Sequence, residues 1–309
     1  MLYTLNLTKF ETTDHLFLPA LLYQPLEKTD EVAIFLHGNG HASGIASVDK
    51  NNVLGEMFAR QHIAYFPFNN RGAHYINKLK WYVNGEKKEF KCGTAYELIK
   101  DCIYDIDGAI QYLEVLGYKK FILVGASTGS NKAVVYNYYK KINKINRFIL
   151  LEGGDDTGLY YQQMGEEVFK KALQRCTNEI KNGNRTEFAD KSLVSNIISY
   201  QALYDTINPE GDYNIFPYYE YFNHLNLAKK ELFREFSSIK KPTLVVYGSN
   251  DQYCSGPPEN CLAVLKEKCS SPELFTFKII PGAEHGFGGK ETELAHAIEK
   301  WIVMKSNVH

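Results

Sequence analysis

Short, nearly unbroken apolar runs recur along the chain at residues 32–36, 63–68, 121–124, 148–151, 243–247 and 274–280. Their length and continuity suit strands covered on both faces, which need no polar side. Between them the apolar positions return every three or four residues. Ile99, Cys102, Ile103, Ile106, Ala109, Ile110 and Leu113 form one such stripe, closed by Gly117, and this spacing predicts a helix with one apolar face. Further helices are expected at 53–61, from about Asn131, at 260–268 and at 291–303. Strands alternating with helices predict a mainly parallel sheet wrapped on both sides. Residues 3–7 and 15–23 read as additional strands at the start, and 72–93 as a polar, aromatic loop or hairpin excursion.

The rhythm stops between about 153 and 236, where helical and aromatic segments replace apolar strands. A structureless loop of that length is improbable in a compact domain. The expected organisation is therefore a core formed by 1–153 and 237–309, with 154–236 inserted as a helical lid.

Composition narrows the function class. With 309 residues, 44% hydrophobic, and 35 basic against 36 acidic side chains, the formal net charge is −1. Such balance leaves no footprint for nucleic acid or an anionic membrane surface. Lys87, Lys88 and Lys91 are interleaved with Glu86 and Glu89, the pattern of a solvated segment. No run approaches the roughly 20 apolar residues of a membrane span. The first residues lack a signal-peptide core, since Lys9, Glu11 and Asp14 follow closely. Six scattered cysteines without a C-x-x-C pair read as reduced thiols, and a cytoplasmic location is expected.

Candidate chemistry lies at strand ends. Gly125-Ala126-Ser127-Thr128-Gly129 follows the run at 121–124 and precedes a helical pattern. A serine on such a strand–turn–helix elbow has its hydroxyl lifted above the sheet edge, over a helix N-terminus. Glycine-rich turns also contain serines for no chemical reason, so the pentapeptide needs partners. A serine nucleophile requires a base, and the base an orienting acid. Asp251 follows the run at 243–247, and His285 follows that at 274–280 within Gly282-Ala283-Glu284-His285-Gly286. Either alone is commonly a turn or loop residue. Together, in the order serine, acid, histidine, they make a candidate catalytic set. His37-Gly38-Asn39-Gly40 ends the run at 32–36, and its backbone amides are suited to an oxyanion hole. The expected donors are the N–H groups of Asn39 and Thr128, with Gly40 as the alternative to Asn39. A dinucleotide loop is excluded there because Ser43 stands where the third glycine of G-x-G-x-x-G should fall.

These features resemble the α/β-hydrolase superfamily across nearly the full chain. More narrowly, Asn69-Asn70-Arg71-Gly72, Ser127-Thr128-Gly129-Ser130 and the segment Leu203-Tyr204…Gly211-Asp212-Tyr213 are similar to a poorly characterised branch that carries only a domain-of-unknown-function label. That branch often has histidine before the nucleophile, whereas this chain has Ala126. Resemblance to feruloyl-type esterases and dienelactone hydrolases is looser. The resemblance implies an α/β-hydrolase fold with an inserted helical lid.

The expected reaction is hydrolysis of a carboxylic ester through an acyl-enzyme on Ser127. Thioester, amide, peptide and carbon–carbon bond cleavage, acyl transfer, and non-catalytic ligand binding are the alternatives. No cofactor is required, and no H-E-x-x-H or clustered spacing supports a metal. Tyrosines crowd the insertion, and Tyr160, Tyr161, Tyr204 and Phe216 are expected to contact a small-molecule substrate with an aromatic or apolar group. Asp155 and Asp156 occupy the position that carries the acid in some relatives. Glu152 and Glu284 read as structural or rim carboxylates. His37 reads as a brace for the oxyanion loop, Arg71 as a loop anchor, and His41 and His74 as solvated.

Overall fold

The computed structural model describes residues 2–40, 42–83 and 86–306; His41 lies outside them. Among the described residues there are ten strands: β1 (Tyr3–Glu11), β2 (Phe17–Pro25), β3 (Glu31–Leu36), β4 (Ala64–Phe68), β5 (Asn77–Val83), β6 (Glu86–Cys92), β7 (Lys120–Ala126), β8 (Ile145–Leu151), β9 (Thr243–Gly248) and β10 (Phe275–Ile280). Eight of them form one sheet in the order β1-β2-β4-β3-β7-β8-β9-β10. The antiparallel pairs β1–β2 and β2–β4 form one edge, and every later pairing is parallel. β5 and β6 form a separate two-stranded antiparallel sheet, tied to the main body by a bridge between Trp81 and Leu16; this is the hairpin excursion read from the polar segment.

The continuous apolar runs have the expected cause. Along β3, Val32, Ile34 and Leu36 face one hydrophobic cluster while Ala33 and Phe35 face another; along β7, Phe121 and Leu123 are separated in the same way from Ile122 and Val124. Side chains alternate across a strand, so a strand buried on both faces has no polar register. Helices α1 (Val48–Arg60) and α9 (Glu291–Ser306) cover one face, with Leu54, Phe58, Leu294 and Trp301 in its cluster. The opposite face is covered by α2 (Cys102–Val115), α3 (Thr128–Tyr139) and α8 (Pro258–Lys268).

Between β8 and β9 the chain is helical, in α4 (Asp156–Lys181), α5 (Tyr200–Ile207), α6 (Tyr218–Phe222) and α7 (Arg234–Ser237). α4 is interrupted at Gly165, whose φ of 73° and ψ of 162° are non-helical. Phe169, Ala172, Cys176, Leu203 and Ile207 form a small cluster of their own. Farther along, Tyr213, Ile215, Phe216, Phe233 and Phe236 belong to the cluster under the main sheet. The insertion is thus partly self-contained and partly rooted in the sheet. All six cysteines are free thiols. Among the described residues no helix is long and apolar enough to cross a membrane.

Candidate active site

Ser127 links β7 to α3 with φ 55° and ψ −130°. A side chain costs about 1–3 kcal/mol in so sparsely populated a region, and such strain persists only where the surroundings enforce it. They do so here. The Ser127 N–H donates to the Leu151 carbonyl at 2.8 Å, the Ser130 N–H to the Ser127 carbonyl at 2.7 Å, and Ser130 Oγ to the carbonyls of Gly125 and Leu151 at 2.8 and 2.9 Å. The glycines are sterically required at two points. A Cβ on Gly129 would lie 2.2 Å from the Leu36 carbonyl oxygen, and one on Gly38 would lie 2.8 Å from Ser127 Cβ. The 37–40 loop therefore packs directly against the elbow because position 38 has no side chain.

Asp251 and His285 come from the loops after β9 and β10, which are neighbouring parallel strands. Their loops emerge at the same sheet edge as the elbow. His285 Nδ1 lies 3.0 Å from Asp251 Oδ1, so Nδ1–H donates to the carboxylate and Nε2 is the ring nitrogen left for other partners. The His285 N–H donates to Gln252 Oε1 at 3.1 Å, and the Tyr253 ring meets the imidazole edge-on at 4.8 Å. Among the described residues the Ser127 hydroxyl stands outside this hydrogen-bonded array. It opens with His285 onto one cavity of about 520 Å³, also lined by Gly38, Asn39, Thr128 and Glu152.

Glu152, read from the sequence as a structural or rim carboxylate, is buried beside the His285 ring. It follows β8 with φ 52°, is 1% exposed, and accepts the Gly286 N–H at 2.6 Å. Its Oε2 is 3.8 Å from His285 Nδ1, on the same side of the ring as Asp251. Burial pushes its carboxyl up to about 7, against the opposing pull of His285 and the Gly286 N–H. A glutamate immediately after a buried strand was the only available signal, and it does not by itself specify a partner. For His285, burial favours the neutral ring, yet the hydrogen bond and charge of Asp251, with Glu152, outweigh it and raise the imidazole above its ordinary 6.5. Lys50, from the first turn of α1, lines the same cavity; burial lowers it, and Glu152 and Glu291 oppose the shift.

Behind the 37–40 loop, His37 is 3% exposed. Its Nδ1–H donates to the Gly38 carbonyl at 2.8 Å, and Nε2 accepts the Asn70 N–H at 3.1 Å. That pairing needs the neutral tautomer, in keeping with a value driven down to about 3 by burial and then by the Lys132 charge. His37 braces the loop, as read. Arg71 is likewise an anchor, forked onto Asp105 at 2.7 and 2.9 Å and onto Asp14 at 2.9 and 3.0 Å. The Gly40 N–H donates to Thr94 Oγ1 at 3.0 Å. Thr128 is the first residue of α3, so its N–H has no partner within the helix.

The remaining sequence candidates are dispersed. Tyr160 lines a second chamber beside the first. Tyr161 packs on Phe169 and Tyr219, and Tyr204 lies against the insertion's cluster. Phe216, 1% exposed, is committed to the main core, where a Cβ on Gly153 would meet its ring at 2.4 Å. Asp155 caps α4 by accepting the Gly158 N–H at 2.7 Å and also accepts the Tyr219 N–H at 2.7 Å. Asp156 Oδ2 accepts from Thr128 Oγ1 at 3.2 Å. Among the described residues one group could bring ligand atoms to a metal ion, namely Glu152, Asp251 and His285, whose atoms lie within 4.8 Å of one another. His285 Nδ1 and Asp251 Oδ1 are hydrogen-bonded to each other and Glu152 Oε2 accepts the Gly286 N–H, while the buried Glu152 Oε1 has no partner among the described residues.

Residues 93–306, more than two thirds of the chain, match the family model described as "Protein of unknown function (DUF1749)". The chain belongs to the DUF1749 family. No curated protein matches it in sequence. Among solved structures, this DUF1749 member is similar to Est1E from Butyrivibrio proteoclasticus with ferulic acid bound, at TM-score 0.64 and 12% identity over 96% of this chain and 98% of that one. It is similar to the α/β hydrolase GrgF from Penicillium sp. sh18, at TM-score 0.61 and 15% identity over 96% and 98%. It is also similar to the Pyrococcus furiosus esterase Pf2001, at TM-score 0.57 and 14% identity over 98% and 93%. The DUF1749 chain therefore has the α/β-hydrolase fold that its motifs led us to expect.

Proposed function

We propose that the chain is a serine hydrolase that cleaves a carboxylic ester of a small molecule. Ser127 attacks the carbonyl, His285 Nε2 takes its proton, and Asp251 orients the ring and stabilises the imidazolium. The N–H groups of Asn39 and Thr128 hold the oxyanion, while that of Gly40 is occupied by Thr94. Water activated by His285 then releases the acyl group. The observation carrying this reading is the 3.0 Å His285–Asp251 hydrogen bond at a cavity shared with a strained serine. The esterase neighbours add support at the level of fold. Residues 154–236 act as the lid over a core of 1–153 and 237–309, and the chain works in the cytoplasm without a cofactor.

A fluorophosphonate probe tests the nucleophile. Wild-type protein should be labelled on Ser127, and Ser127→Ala should not; a folded wild type that resists the probe would favour a ligand-binding protein instead. An ester, thioester and amide panel then separates the chemistries that share this array.

The acid limb of kcat/KM gives a second check. The base works only when neutral, so activity rises with pH through the His285 value, which lies above 6.5. Glu152, pushed up to about 7, ionises within the same range, so Glu152→Gln removes a charge that is only partly present and should shift that limb modestly to lower pH. A limb unmoved by the substitution would mean that Glu152 does not act on His285.

A further inference from the structure

A second chamber of about 180 Å³ adjoins the main cavity. The two share Asn39, Gly40, Tyr75, Asp156 and Leu159 in their walls. Asp156 lies close to the reacting end, because Thr128, the residue after Ser127, hydrogen-bonds to its carboxylate at 3.2 Å. A group bound in this chamber is therefore within reach of an ester held at Ser127.

The lining includes polar side chains as well as apolar ones, among them Asn39, Asp156, Tyr160 and Asn196. Asn39 donates its Nδ2–H to Tyr213 at 3.3 Å, while its buried Oδ1 has no partner among the described residues. Asn196 Nδ2 donates to the Tyr160 hydroxyl at 3.1 Å, leaving the phenol proton of Tyr160 for another acceptor. The chamber thus offers an acceptor at Asp156 and a donor at Tyr160. Hydroxyl groups satisfy both kinds at once, since they donate one proton and accept on oxygen. An ammonium group only donates, and a carboxylate only accepts.

Building on the hydrolase reading, the geometry points to a substrate whose acyl or alcohol part carries a hydroxyl, seated in this chamber between Asp156, to which it donates, and Tyr160, from which it accepts. Leu159 and the tyrosine rings enclose the carbon skeleton, and the hydroxyl selects it. The aromatic or apolar preference read from the insertion is thereby refined: the skeleton is apolar, but its far end is not.

The test is equilibrium binding to Ser127→Ala, which holds esters without turning them over. Methyl 3-phenylpropanoate is compared with its 4-hydroxyphenyl analogue, and methyl hexanoate with methyl 6-hydroxyhexanoate. A site that hydrogen-bonds a hydroxyl discriminates strongly against the analogue lacking it, so one pair should differ by about tenfold or more in favour of the hydroxyl. In Ser127→Ala with Asp156→Leu the preference should fall below about twofold. The same-sized Asp156→Asn, which keeps an acceptor oxygen, should retain part of it. Equal binding within both pairs in Ser127→Ala overturns the proposal even if the leucine variant fails to fold. A preference that survives Asp156→Leu, or tighter binding of the 6-ammonium analogue than of the 6-hydroxy ester, overturns it as well. Failure of the wild type to react with the fluorophosphonate would remove the hydrolase reading and leave this comparison of ligands to be judged by itself.

Discussion

Ser127→Ala is expected to reduce turnover of an accepted ester by about 10⁴–10⁶-fold, with binding largely kept. Removing the nucleophile from a serine–histidine–acid array costs about that much, because the remaining groups then have nothing to activate. The elbow itself should survive, since alanine keeps the Cβ that already fits beside Gly38 and removes only Oγ. Steady-state kinetics with a chromogenic ester, run on protein freed of contaminating esterases, provides the measurement. A variant retaining more than about a tenth of wild-type kcat would place the nucleophile elsewhere.

The largest stability effect is expected at Lys132. This lysine lies within α3, with 0% of its side chain exposed, 2.7 Å from Glu97, which is 1% exposed. Its Nζ also donates to Asn70 Oδ1 at 3.2 Å. Through Asn70 it reaches His37, whose ring and carbonyl are both held by Asn70. Lys132→Met should destabilise the fold by about 3–5 kcal/mol, because it strands the Glu97 carboxylate without its cation. The double change Lys132→Met with Glu97→Leu should recover much of that loss, since apolar pairs often replace buried ion pairs at little net cost. Denaturant unfolding of the three proteins decides the matter. A single variant within about 1 kcal/mol of wild type would mean that water reaches Glu97.

These residues also mark where sequence reading runs out. Lys132 follows the polar Ser130-Asn131 and precedes Ala133-Val134-Val135 on α3, and nothing in that spacing assigns it a partner 35 positions earlier. The same holds for Glu152, whose importance arises only when the loops after β8, β9 and β10 converge around the His285 ring. Phe216 illustrates the opposite difficulty. Its setting in an aromatic insertion suggested contact with substrate, yet it packs against Tyr218 and Phe236 in the main core. An aromatic side chain suits a pocket roof and a core equally well, and composition cannot separate them.

The parts legible in the chain are those governed by local physics. Strands buried on both faces require unbroken apolar runs, helices repeat every three to four residues, and the elbow needs small residues on each side of a strained serine. These rules specified the mostly parallel sheet, the helical insertion and the positions of Ser127, Asp251 and His285 at strand ends. Burial and partnership belong to the tertiary structure. Only packing put Asp251 3.0 Å from His285, raised Glu152 toward neutrality, buried Lys132 against Glu97, and enclosed a second chamber beside Asp156. Each depends on distances between segments far apart in the chain, and on the low polarity that develops when those segments exclude water.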